Sequence, residues 1–95
     1  MANTTNERYK TVNVEGIDVT VDTVKAGSWD AFKLFRKAHE ADDELAQFDV
    51  MVELMTYTTD QDEASIVESL GGADAQYMDV VRVVSLIVSE CYPKN

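Results

Sequence analysis

Residues 80–88 read Val-Val-Arg-Val-Val-Ser-Leu-Ile-Val. Whether that run is a strand or a helix decides whether the chain is mainly α. Its β-branched content suits a buried strand. Length and capping decide for a helix: the pattern runs from Ala75 to Tyr92, with Asp74 to open it and Pro93 to end it, well beyond ordinary strand length. On a helix, Tyr77, Val80, Val81, Val84, Ile87, Val88 and Cys91 form one stripe, while Val83 and Leu86 fall on the other side. That is more apolar circumference than a surface helix requires, so this helix is either central or an interface.

Working back along the chain, Gly71 follows Ile66, Val67 and Leu70 as the left-handed residue that ends a third helix. Thr59 or Asp60 opens that helix, with Asp62 and Glu63 in its first turn. A second helix runs from about Asp43 to Met55, capped by Asp42 or Asp43, with Leu45, Phe48, Val52 and Met55 on one stripe; Thr56 to Thr59 ends it. A first helix, Trp29 to Glu40, has Ser28 as its cap and Asp30 in its first turn, where the helix dipole favours an acid. Phe32, Phe35 and His39 stack beside Ala31, Leu34 and Ala38, and Lys33, Arg36 and Lys37 take the solvent side.

Ahead of these helices, Tyr9 to Val24 alternates, with Val12 and Val14 on one face, Val19 and Val21 on another, and Gly16 at the turn. The pattern predicts a β-hairpin, Tyr9–Glu15 and Ile17–Val24. Two strands alone are marginal in water and must lie on helices or pair with another chain. Trp29, a large aromatic at a helix start beside this ribbon, is the expected buried anchor between the two parts. The predicted fold is therefore mainly α: an N-terminal β-hairpin followed by four short helices in a single small domain, 1–95, made of a flexible arm (1–8), the hairpin (9–24) and the helical part (28–92).

The charge is one-sided. Eighteen acidic residues face eight basic ones for a net charge of −10, and from Ala38 to Val81 there is no Lys or Arg while twelve carboxylates run from Glu40 to Asp79. Such a surface repels phosphates and anionic lipid, so nucleic acid and membranes are disfavoured partners and basic ones favoured. The first six residues contain no apolar leader core, and the run at 80–88 is broken by Arg82 and Ser85 and too short to span a bilayer; the expected location is cytoplasmic. Cys91 is the single cysteine and has no internal disulfide partner.

Catalytic chemistry is weakly signalled. His39 and Cys91 form a nucleophile pair only on paper; a cation at a helix end and a small core residue account for them. The clusters Asp42-Asp43-Glu44 and Asp60-Gln61-Asp62-Glu63 lack the glycine and further acid of a calcium loop, and capping explains them. Gly71-Gly72 lacks phosphate-loop spacing. The expectation is a non-enzymatic binding domain with no cofactor, metal or catalytic residues. Its contact surface is expected around Val83 and Leu86, with Leu54 and Met51 as further contact residues.

A hairpin turning at Gly16, then Ser28-Trp29-Asp30-Ala31-Phe32-Lys33-Leu34-Phe35, then short acidic helices and an apolar last helix, resembles the tail assembly chaperones of long-tailed bacteriophages over about Val12 to Tyr92. The resemblance implies a helical chaperone that coats the tape measure protein, helps the tail tube protein polymerise around it and is absent from the mature virion; a homo-oligomer is expected instead from the thin core of so small a chain and the surplus apolar face of the last helix. It also implies a longer product made by a minus-one frameshift, which would recruit the tube protein; Pro93-Lys94-Asn95 can be encoded by a slippery A AAA AAC. Two other functions stay open: an acidic nucleic-acid mimic that blocks a DNA-binding host protein, and a structural head or tail subunit.

Overall fold

The computed structural model describes residues 8–92. Most of the expected arm and all of Pro93-Lys94-Asn95 lie outside the described residues. The chain is mainly α with an N-terminal two-stranded antiparallel hairpin, as the sequence predicts: β1 (Tyr9–Val14), β2 (Ile17–Asp22), α1 (Thr23–Ala26), α2 (Trp29–Glu40), α3 (Glu44–Thr58), α4 (Glu63–Ser69), a 3-10 turn (Gly72–Asp74) and α5 (Tyr77–Cys91). The four expected helices are α2 to α5.

The hairpin is set by its turn. Glu15 and Gly16 both have positive φ, 51° and 91°, the two-residue geometry that matches strand twist and favours glycine. The Gly16 N–H donates to Asn13 Oδ1 (3.1 Å), and the Asn13 amide donates to Asp18 (2.9 Å). The resulting register pairs Val12 with Val19 and Val14 with Ile17. Val12, Val14, Val19 and Val21 therefore share one face, which corrects their expected division between two. Alternation within each run was right, but the turn decides how the runs are phased.

β2 stops at Asp22, two residues short of the expected end. The Asp22 carboxylate accepts the Val24 and Lys25 N–H groups at 3.1 Å each and caps the one-turn α1. Arg8 grips the same carboxylate through Nε and Nη2, both at 3.0 Å. These donors, the Arg8 bonds foremost, hold the Asp22 carboxyl below its usual range. The outer edge of β2 is covered too: Val21 bridges to Thr59, the Thr20 N–H donates to Asp60 Oδ1 (3.0 Å), and the Asp60 N–H donates to the Thr20 carbonyl (3.1 Å).

Ser28 and Asp43 cap their helices as expected: Ser28 Oγ accepts the Ala31 N–H and Asp43 that of Ala46. The start of α4 is corrected: Asp62, expected inside the first turn, is itself the cap and forms a reciprocal capping box with Ser65, so the helix begins at Glu63 and is not opened by Thr59 or Asp60. α3 runs three residues past its expected end, and there the Thr58 and Thr59 hydroxyls donate to the carbonyls of Leu54 and Met55, both at 2.8 Å. Asp74 does not open α5. It lies in the 3-10 turn, and Gln76 takes the cap position without a side-chain bond. Gly71, at φ 121°, ends α4 as expected.

One core joins Val14, Val19 and Val21 of the hairpin to Ala31, Leu54, Met55 and Ile66 and to Val80, Val83, Val84, Ile87, Val88 and Cys91 of α5. Each fully buried aliphatic side chain in it stabilises the fold by about 1.5–3 kcal/mol. α5 is thus the central helix. Two expected contact residues, Val83 and Leu54, are corrected to core positions, 0% and 1% exposed. Val83 sits three residues after Val80 and four before Ile87, inside a packed sector wider than one stripe. Trp29 is corrected in the opposite sense: it is 64% exposed and does not anchor the hairpin. Ala31 and Ala38 are buried on the inner side of α2, with Leu34 and Phe35 partly buried, which leaves Trp29 and Phe32 on the outer side. The hairpin is held by its three core valines and by Arg82 of α5, whose guanidinium meets Glu15 at 2.9 Å.

Candidate docking groove

Between α3, α4, the 3-10 turn and α5 lies an open groove of about 790 Å³. Leu45, Phe48 and Met51 form its α3 wall, Val67 and Ala75 its end, and Tyr77, Met78, Val80, Val81 and Ser85 its α5 wall. The local cause is visible in α3, which carries apolar residues on two sides. Val50, Leu54 and Met55 are buried, while Leu45, Phe48 and Met51, at steps of three, face the groove. Leu45 is 72% exposed, Tyr77 65% and Met78 64%, so the rim carries three large apolar side chains in water. These side chains make the groove the candidate contact surface.

The charged residues lining the groove are Glu44 and Glu63. Each stands in the first turn of its helix, α3 or α4, where the dipole stabilises an acid. Among the described residues neither has an ion-pair partner. The groove therefore offers an apolar floor, two adaptable methionines and an anionic rim. That suits an amphipathic helix with apolar residues at steps of three and four and basic residues at its margins.

Of the expected contact residues, Met51 lines this groove, half-buried. Leu86 is 39% exposed but does not line it. The remaining lining residues escaped sequence reading because Leu45 and Phe48 share helical spacing with the core-facing stripe; the usable signal was that α3 is apolar on more than one side. A second depression, about 600 Å³, is formed by Lys25, Asp49, Val52, Glu53, Thr56 and Tyr57, with Lys25 Nζ 5.3 Å from the Tyr57 ring centroid.

No protein-family model, curated protein or solved structure matches this chain. What the groove accepts is then set by its own chemistry.

The remaining candidates have structural surroundings. Cys91 is buried, with Sγ 3.5 Å from the Thr58 hydroxyl, and burial pushes its thiol up, which keeps it protonated and a poor nucleophile. His39, in the last turn of α2, stacks on Phe35 at 5.0 Å, and Phe35 stacks on Tyr92 at 5.4 Å. Burial pushes the Tyr92 phenol up to about 12. Among the described residues no three His, Cys, Asp or Glu side chains are grouped to hold a metal ion, and no helix is long and apolar enough to cross a membrane.

Proposed function

We propose that this chain is a non-catalytic phage tail assembly chaperone acting in the host cytoplasm. Its groove between α3, α4 and α5 holds apolar helical segments of the tape measure protein until the tail tube replaces it. The observation that carries this reading is the apolar groove with an unpaired acidic rim. A helical client buries its apolar face on Leu45, Phe48, Met51 and Met78, and the anionic outer surface keeps the complex dispersed. The resemblance in element order supplies the client's identity. A frameshifted longer form delivering tube subunits belongs to the same reading. The nucleic-acid-mimic alternative is weakened by the use of Asp43, Asp60, Asp62 and Asp79 in caps, the β2 clasp and the Arg82 pair.

Co-expression with fragments of the tape measure protein tests this. The wild-type chain is expected to bring apolar fragments into soluble complexes, and Leu45→Glu with Met78→Glu, both at exposed positions, to leave them insoluble while keeping a wild-type circular dichroism spectrum. Fragments that stay insoluble with the wild-type chain, or that the folded double variant solubilises equally well, overturn the proposal.

A further inference from the structure

The two outer edges of the hairpin differ. Opposite residues across an antiparallel pair alternate between those that exchange ladder hydrogen bonds and those that turn N–H and C=O outward. The register and the two-residue turn make Tyr9, Thr11 and Asn13 the outward-turned residues of β1, paired with Asp22, Thr20 and Asp18 of β2. On β2 the outward groups are taken up: Asp60 clasps both groups of Thr20, and the Asp18 carbonyl accepts the Gln61 amide at 3.2 Å. On β1, the N–H and C=O groups of Tyr9, Thr11 and Asn13 have no hydrogen-bond partner among the described residues. β1 has neither a proline nor a bulge along its six residues, so its open edge can template a further strand.

A strand laid along that edge also finds an apolar support. Asp79, Arg82, Leu86 and Glu90 follow one another along one side of α5 at steps of three and four. Arg82 reaches Glu15 at the hairpin turn (2.9 Å), and at the other end of α5 the Cys91 thiol, raised chiefly by burial, feels the opposing charge of Lys10. The row therefore runs beside β1, and Leu86, 39% exposed and outside the groove, is its apolar member. Lys10, on the Val12 and Val14 face of β1, is exposed and has no ion-pair partner among the described residues. From the open edge, the Leu86 support and the unpaired ammonium we infer that β1 is a strand-addition site for another protein. An extended segment of that partner pairs antiparallel with Tyr9, Thr11 and Asn13, rests an apolar side chain on Leu86 and sets a single carboxylate against Lys10. Further acids in the segment would meet Glu90 and the net charge of −10. A second copy is the poorer occupant: the register that uses every edge group pairs Thr11 with its own counterpart and leaves the two Lys10 positions diagonal neighbours about 7–8 Å apart. The site is separate from the groove and does not depend on what the groove holds.

Amide hydrogen exchange followed by nuclear magnetic resonance tests it on the full chain, with the synthetic peptide Val-Thr-Val-Thr-Glu-Thr as the probe. Laid antiparallel from Val14 to Tyr9, the peptide places its glutamate opposite Lys10. It is expected to protect the outward Thr11 and Asn13 amides and to leave those of Lys10 and Val12, already in the ladder, unchanged. Thr11→Pro removes one outward donor and no ladder bond, a place where an edge strand accepts proline. It is expected to weaken binding about tenfold, as is N-methylation of the peptide's threonines, which makes the same test on unaltered protein should the proline disturb the hairpin. Lys10→Glu is expected to lose the peptide and to gain the version with lysine in place of its glutamate, a reversal that a merely structural Lys10 would not give. No binding up to about 1 mM peptide, equal binding of the N-methylated peptide, or loss of binding in the groove variant Met78→Glu each overturns the inference. So does protection of Thr11 and Asn13 that grows with the concentration of the chain alone, which assigns the edge to a second copy.

Discussion

α2 and α5 are both broad apolar helices by sequence, yet α5 buries Val83 on what reads as its spare side, while α2 leaves Trp29, its largest side chain, in water. The difference lies in their neighbours. α5 is packed by the hairpin, α3 and α4, which enclose a wide sector of its surface; α2 packs chiefly on α3. Apolar circumference measures how much of a helix can be buried, but the number of elements around it decides how much is.

The sharpest way to break this comparison is Val83→Asp. A carboxylate at a fully buried site without a partner is expected to cost about 4 kcal/mol or more, a large share of the roughly 5–14 kcal/mol available to a domain of this size. Urea denaturation followed by circular dichroism checks it; a cooperative transition near the wild-type midpoint would place Val83 on an outer surface after all. A smaller effect comes from the polar side of α5, where Arg82 pairs with Glu15 of the turn. The hydrogen bonds from Arg82 hold the Glu15 carboxyl below its ordinary value of 4.5. A depressed folded-state value means that the stabilisation is fully present above that ordinary value and is lost as pH falls through the folded one. Glu15→Gln should therefore lower the thermal midpoint at pH 7, and the gap from wild type should narrow progressively below about pH 4.5. A gap independent of pH would show that the ion pair contributes nothing. The smallest effect is expected at Trp29→Ala, under about 0.5 kcal/mol as for other exposed positions; a loss of 3 kcal/mol or so, the range for a buried aromatic, would return the ring to the core.

Local chemistry made much of the fold legible. The Gly16 turn, the Ser28 and Asp43 caps and the Gly71 stop are each decided within a few residues, and the structure has them where the sequence puts them. Alternation gave the two strands and helical spacing gave α2 to α4, while the β-branched run at 80–88 was decided by its length. The misplacements are of another kind. The shared face of Val12 and Val19, the burial of Val83 and Leu54 and the exposure of Trp29 depend on register or on elements distant in sequence, which periodicity does not encode. The groove shows the same division: its acidic rim follows from helix starts, but Leu45 and Phe48 look like core until α4 and α5 are known to stop short of covering them.

The clasp between Thr20 and Asp60 joins residues 40 positions apart. The hairpin needs only contacts across its own turn, so it can form early, whereas the clasp has to await closure of a chain segment that includes α1, α2 and α3, with the entropy cost of a long loop. Weakening it would act mainly on the rate of opening rather than of folding, because contacts made after the barrier hold the native state closed without helping the chain to reach it. How long the outer edge of β2 stays covered, and so how rarely the folded chain offers that strand to its neighbours, then depends on the short link between α3 and α4, where Asp60 acts beside the Val21–Thr59 bridge.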